Sequence, residues 1–223
     1  MLFQLTKKRN ICYTNGMIIT YFGREFFKIQ YGATTIATNP ISKDAKGGAP
    51  TKFGADIALI STNHPDYNGA EQVAHGETVP FVIDGPGDYE VKEIFIKGIA
   101  SESVIDGKKF INTIYTLTVD SMSLCFLGAL GNGNLSDDAK EAIDSPDILF
   151  LPIGGKSTLA PAEAYKLAVS FEPALIIPMD YDEASLKVFL KEAGEERVAP
   201  ADKLTLKKKD LDSKEAEVAV LSF

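Results

Sequence analysis

Residues 57–69 read IALISTNHPDYNG, and this stretch sets the architecture of the chain. Its first five residues are a continuous apolar run ending in Ser61, the pattern of a short strand buried on both faces. The polarity then changes at once. His64 and Asp66 stand two apart just beyond that strand, so both side chains can serve one site. The plain alternative is a turn in which Asp66 caps the next helix.

Upstream, residues 17–22 (MIITYF) and 25–30 (EFFKIQ) flank Gly23-Arg24 and predict a hairpin, with a third strand over 34–38. Residues 39–53, rich in Gly, Pro, Lys and Ser, predict a long loop of the kind that carries function. Downstream, strands are predicted over 79–84, 93–99, 112–119 and 123–127, with turns at Gly85-Pro86-Gly87-Asp88 and Asp106-Gly107. The second half alternates. A helix over 136–143 capped by Ser136, a buried strand over 148–153 and a helix over 161–171 opened by Pro161 come first. A buried strand over 174–178, a helix over 183–192 and closing strands over 204–206 and 217–222 follow. A meander followed by alternation predicts an α/β (α+β) protein with helices covering sheets, as one domain over 17–223 after an extension over 1–16.

Composition excludes several functions. The chain has 223 residues, with 23 Lys and Arg against 31 Asp and Glu, a formal net charge of −8. An acidic surface repels phosphate backbones, so no nucleic-acid partner is expected. The Lys207-Lys208-Lys209 run is followed by Asp210 and Asp212 and reads as a solvated turn. No apolar stretch approaches the ~20 residues of a membrane span, and MLFQLTKKRN has the wrong charge order for a signal peptide. With only Cys12 and Cys125, a reducing cytoplasm is the expected compartment. His64 and His75 are the only imidazoles, which rules out any centre needing three His.

Two glycine-rich segments imitate phosphate loops without being them. PIGGKST (152–158) has Phe150 where the P-loop needs its first Gly, so Gly154-Gly155 reads as a strand-to-helix turn. GALGNG (128–133) has its glycines in the wrong order for a dinucleotide fingerprint. His75 has no nucleophile partner by spacing and reads as a surface residue.

Taken in order, several segments resemble the metallo-β-lactamase superfamily, in particular its metal-dependent hydrolase branch related to L-ascorbate-6-phosphate lactonases. The family's "GHSsfki", "DP" and "sHxHxDHnG" resemble GREFFKI (23–29), NP (39–40) and STNHPDYNG (61–69). Its "GPGEYEi", "NTIY" and "hLGDlg" resemble GPGDYEV (85–91), NTIY (112–115) and FLGALG (126–131). Its "DiLfiPvGG" and "viPMHY" resemble DILFLPIGG (147–155) and IIPMDY (176–181). The resemblance implies a four-layer αββα sandwich with a two-metal site.

The ligand positions are where this chain departs from the family. The first-metal positions become Thr62, His64 and Ser103; the second-metal positions become Asp66, Tyr67 and Asp180; the bridging Asp becomes Ala129. The "GHS" His is Arg24 and the "DP" Asp is Asn39. Zinc catalysis needs about three protein ligands per ion, and a shared carboxylate couples two ions. From this pattern the sequence predicts a catalytically degenerate pseudoenzyme with a binding or assembly role, a vestigial pocket, and no metal or other cofactor. Its expected partners are a small anionic ligand and a second copy of the chain. The pocket rim is expected from 39–53, Asp88–Glu90 and 154–158. The alternative is a divergent hydrolase acting on a phosphorylated or lactone small molecule through one divalent ion (Zn, Mn or Mg) at His64, Asp66 and Asp180. A third reading is a structural protein with a filled pocket. Without cations, Asp66 and Asp180 need a counter-charge, and Arg24 is expected to pair with one of them.

Overall fold

A computed structural model describes residues 16–45, 51 and 53–223, so most of the expected extension and part of the 39–53 loop lie outside the described residues. Strands β1 (Met17–Tyr21), β2 (Phe27–Tyr31), β3 (Thr34–Thr38), β4 (Ile57–Leu59) and β5 (Phe81–Ile83) come first. Next are β6 (Gly87–Val91), β7 (Ile94–Ile105), β8 (Lys108–Val119), β9 (Met122–Phe126) and helix α1 (Asp137–Ile143). The chain closes with β10 (Ile148–Pro152), α2 (Pro161–Val169), β11 (Leu175–Met179), α3 (Glu183–Glu192), β12 (Leu204–Leu206) and β13 (Glu217–Val218).

These strands form two sheets, ordered β12-β1-β2-β3-β4-β5 and β13-β11-β10-β9-β8-β7-β6. The fold is therefore the mixed α/β two-sheet sandwich that the sequence implies. Alternation in β1 sends Met17, Ile19 and Tyr21 inward, where they meet Tyr115, Phe126 and Phe150 of the facing sheet. Strand β4 is buried throughout and pairs in parallel with β3 and β5, which explains its unbroken apolar run. Helices α2 and α3 cover the second sheet, with Ala164, Ala168 and Phe189 packed in one cluster with Leu149, Leu151 and Ile176. Ser136 caps α1 through Ala139 N at 3.2 Å, and Asp182 caps α3 with Ser185 in a reciprocal box. Over the first sheet lie Val73 of the short 3₁₀ turn Ala70–Val73 and the loop rings Phe22 and Phe53.

The structure corrects the sequence reading in one hairpin. Residues 85–88 were expected to turn, but Gly87 and Asp88 already belong to β6, paired with Gly98 and Lys97. Both β7 and β8 run 12 residues, beyond the expected 93–99 and 112–119. Their outer halves are polar because one face meets solvent. Ser101 and Asn112 sit opposite each other, and Asn112 Nδ2 donates to Ser101 Oγ at 2.8 Å.

Candidate active site

The loops that follow β4, β10 and β11, at their carboxyl ends, converge with the β1–β2 turn and the β7–β8 tip. Parallel strands in α/β sheets typically present their chemistry at such ends. Four non-glycine residues here take left-handed backbone conformations: Arg24 (φ 52°), Asn39 (φ 39°), Asp106 (φ 50°) and Asp180 (φ 49°). The Arg24 carbonyl accepts from both Tyr21 Oη and Asp180 N, each at 2.6 Å, and so ties the hairpin turn to the end of β11. Gly154 has to be glycine, because a Cβ would run into the Asp180 carbonyl. Gly69 is equally fixed. A side chain there would strike the Ile41–Ser42 backbone, on which the 61–69 loop is seated.

A cavity of about 320 Å³ opens between these loops, lined by Arg24, Asp66, Tyr67, Ile105, Asp106, Gly154, Lys156, Ser157, Asp180, Tyr181 and Asp182. The Arg24 guanidinium donates to Asp66 Oδ2 from Nη1 at 2.6 Å, so the expected ion pair is present. Burial pushes the Asp180 carboxyl up, and the Asp66 charge adds to the shift; Arg24, the Thr158 hydroxyl and Lys156 oppose it. Four Asp residues and two cationic residues thus line the cavity, with the Asp182 carboxylate engaged in capping α3.

Next to this cavity the site is dry. Tyr67, Ile105 and Ala129 form an apolar cluster with Phe110 against it. Thr62 is buried, donating to Asn112 Oδ1 at 3.2 Å, and Ser103 is buried with no hydrogen-bond partner for Oγ among the described residues. His64 stands edge-on to Phe110 at 5.6 Å, and its Nδ1 accepts from Asp66 N at 3.3 Å. Burial raises the Tyr67 phenol, which keeps it protonated and a poor metal ligand. Asn39 lies beneath, holding Ser61 through Oδ1 (2.7 Å, from Ser61 N) and Nδ2 (2.8 Å, to Ser61 Oγ).

The structure therefore places Arg24, Asp66, Tyr67 and Asp180 around one cavity and buries Asn39, Thr62, Ser103 and Ala129 under it or beside it. His64, Asp66 and Asp180 do not converge: among the described residues no three His, Cys, Asp or Glu side chains form a metal cluster. Asp88 is not on the rim either. It lies with Tyr89 in a separate groove beside Phe95 and Ala142.

Glu25 was missed by the sequence reading. It is fully buried, accepts from Asn39 Nδ2 at 2.6 Å through Oε2, and has no partner for Oε1 among the described residues. Burial and the Asp180 charge hold its carboxyl well above the usual carboxylate range. The signal was available: a Glu leading directly into Phe26-Phe27 at the family's "GHS" serine, while the "DP" carboxylate has become Asn39.

The β-lactamase superfamily domain matches residues 18–180. The chain belongs to this family. Among curated relatives, a Methanopyrus kandleri protein named a UPF0173 metal-dependent hydrolase is 26% identical over 196 residues, covering 74% of this chain and 84% of that one. A Listeria innocua protein of the same name is 26% identical over 199 residues, covering 74% and 86%. Among solved structures, a candidate Zn-dependent hydrolase of the superfamily from Thermotoga maritima matches with a TM-score of 0.72 and 29% identity, over 92% and 98% of the two chains.

These relatives overturn two expectations, that of a pseudoenzyme with a degenerate metal site and that of no cofactor. Proteins alike over most of their length carry the name metal-dependent hydrolase, which points to hydrolysis and to a divalent metal. Both expectations rested on counting histidines. A hard cation binds through oxygen and can be held by one or two carboxylates with water completing its shell.

The residues do not fit a two-ion centre, since the first-ion positions Thr62 and Ser103 are buried hydroxyls and the bridging position is the buried Ala129, which leaves His64 alone. For one hard cation the carboxylates that remain are Asp66 and Asp180. Asp66 and Asp180 share the cavity, and Asp180 is buried and repelled by Asp66. The formal carboxylate excess of two (four against two) matches one divalent charge.

Proposed function

We propose that this protein is a hydrolase of a small phosphorylated or lactone substrate that depends on one divalent cation at Asp66 and Asp180. The observation that carries this reading is the charge of the cavity. Four carboxylates against two cations repel an anionic substrate until positive charge is added. The substrate class comes from the resemblance to L-ascorbate-6-phosphate lactonases, and the cavity volume of about 320 Å³ suits a small molecule.

The bound cation would supply Lewis acidity and a more acidic water at neutral pH. The chain supplies the rest. Lys156 and Ser157, on the turn after β10, face the cavity and can receive the substrate's anionic group. Asp180, held by the Thr158 hydroxyl, stands with Asp66 on the cavity wall as the second carboxylate that would hold the ion. Tyr67 and Ile105 present an apolar wall that keeps bulk water off one side.

The test is hydrolysis of p-nitrophenyl phosphate and of a simple γ-lactone by dialysed protein, with and without Mg²⁺, Mn²⁺ or Zn²⁺. Turnover that appears with one of these ions and disappears with chelator supports the reading. A dialysed protein that hydrolyses neither substrate with any ion rejects it.

A further inference from the structure

We propose that the open edge of β5 is the surface through which two copies of this chain pair, each β5 lying antiparallel to the other about a two-fold axis at Val82. This edge lies outside the cavity and needs no metal.

The two sheets end in four edge strands, β12, β5, β13 and β6. Edge strands normally carry charge that discourages pairing with another chain. Three of the four do so. Strand β12 is flanked by Lys203 and Lys207, β13 contains Glu217, and β6 exposes Asp88 and Glu90. A two-fold pairing of β6 about Tyr89 would set Asp88 opposite Glu90 of the second copy, a like-charge clash. Around β5, residues 78–83 (TVPFVI) hold no charge, in a chain of formal net charge −8. Val79 (77% exposed), Phe81 (53%) and Val82 (41%) put three large apolar side chains in water within four residues.

The ladder with β4 leaves matching hydrogen-bonding groups on that edge. Strand β5 meets β4 in parallel: Phe81 N donates to the Asp56 carbonyl and the Ile83 carbonyl accepts from Ile60 N, each at 2.8 Å. By alternation, the Val82 N–H and C=O point away from β4. Set antiparallel about a two-fold axis, Val82 of each copy exchanges both bonds with the other, and Phe81 lies opposite Ile83. This register also separates the charges. Asp84 comes opposite Pro80, four residues from the other Asp84, a gap of roughly 13 Å against a screening length of ~8 Å at physiological salt. Pro80 has no N–H to give, which keeps the ladder short, and the two-fold axis closes the assembly at two. So short an edge buries less than the ~800 Å² per partner of a standard interface, and the affinity is therefore micromolar.

Sedimentation velocity of the full chain over a range of about 1 to 200 μM tests this, and the natural chain is expected to pass from monomer to dimer with a Kd of about 10 μM. Val82→Pro removes the N–H of the central pair, and Val82→Lys sets two cations against each other. Each is expected to weaken dimerisation about tenfold or more while circular dichroism shows the fold intact. Val79→Lys, outside the β4 ladder, gives a third variant in case a change at Val82 prevents folding. Glu90→Lys, on the charged β6 edge, is the control and is expected to leave the Kd within about twofold. A monomer at every concentration or assemblies larger than two overturn the proposal. So does a dimer that survives every folded Val82 and Val79 variant, or one lost only in Glu90→Lys.

Discussion

The cavity has two neighbouring halves that share loops yet hold opposite environments. On one side Arg24, Asp66, Asp180 and Lys156 face open space. On the other, Tyr67, Ile105, Ala129 and Phe110 exclude water, and the hydroxyls of Thr62 and Ser103 are buried. The segment 61–69 feeds both halves, and so the difference lies in side chains and not in backbone path. One backbone can keep a cation-ready half and close the other, because packing a wall needs volume while holding an ion needs unbalanced charge.

The sharpest way to break this contrast is to put charge into the dry half. Ala129→Asp restores the family's bridging carboxylate against Tyr67 and Ile105, and is expected to cost about 3–5 kcal/mol in urea unfolding. A loss below about 1 kcal/mol would mean the half is wetter than its packing indicates. In the charged half, Asp180→Asn is expected to lower metal-dependent turnover of p-nitrophenyl phosphate by about 100-fold or more in a folded protein. Lys156→Ala is a milder probe. It is expected to raise KM about tenfold with kcat nearly unchanged, since it removes binding of the anionic group.

The smallest expected effect comes from Glu25, beneath the two halves. Its folded pKa is raised, so the stability it gives is full below its ordinary value of 4.5 and is lost as pH climbs toward the raised value. Glu25→Gln is expected to raise the melting temperature by roughly 2–4 °C at about pH 8 and to leave it unchanged near pH 4. A uniform shift at both pH values would show that shape, not charge, is what Glu25 contributes.

Much of the frame was legible in the sequence for local reasons. Alternation in 17–30 and the apolar runs at 57–61, 148–153 and 174–178 report burial directly, and Ser136 and Pro161 mark helix starts through their own backbone chemistry. The β7–β8 hairpin was read short because its outer half is polar on one face, and only the partner strand supplies its order. Residues 87–88 were misread because a Gly-Pro-Gly string signals a turn whatever pairs beside it.

At the site, Arg24 meeting Asp66 was legible as charge balance. So was the turn 154–158, expected on the rim, whose Lys156 and Ser157 line the cavity. Two things were not. Sequence position could not show that Thr62 and Ser103 are buried beside the cavity or that Glu25 is buried, since each depends on loops distant in the chain. Counting His ligands by position led to a pseudoenzyme, and the relatives' names correct that count.

How many ions bind, and on which side, is the most direct test of the single-cation site. Mn²⁺ bound by the dialysed protein in the presence of phosphate should reach one per chain, vanish in Asp180→Asn and persist in Thr62→Val. Two ions per chain, no ion at all, or an ion that survives Asp180→Asn and is lost in Thr62→Val would contradict it.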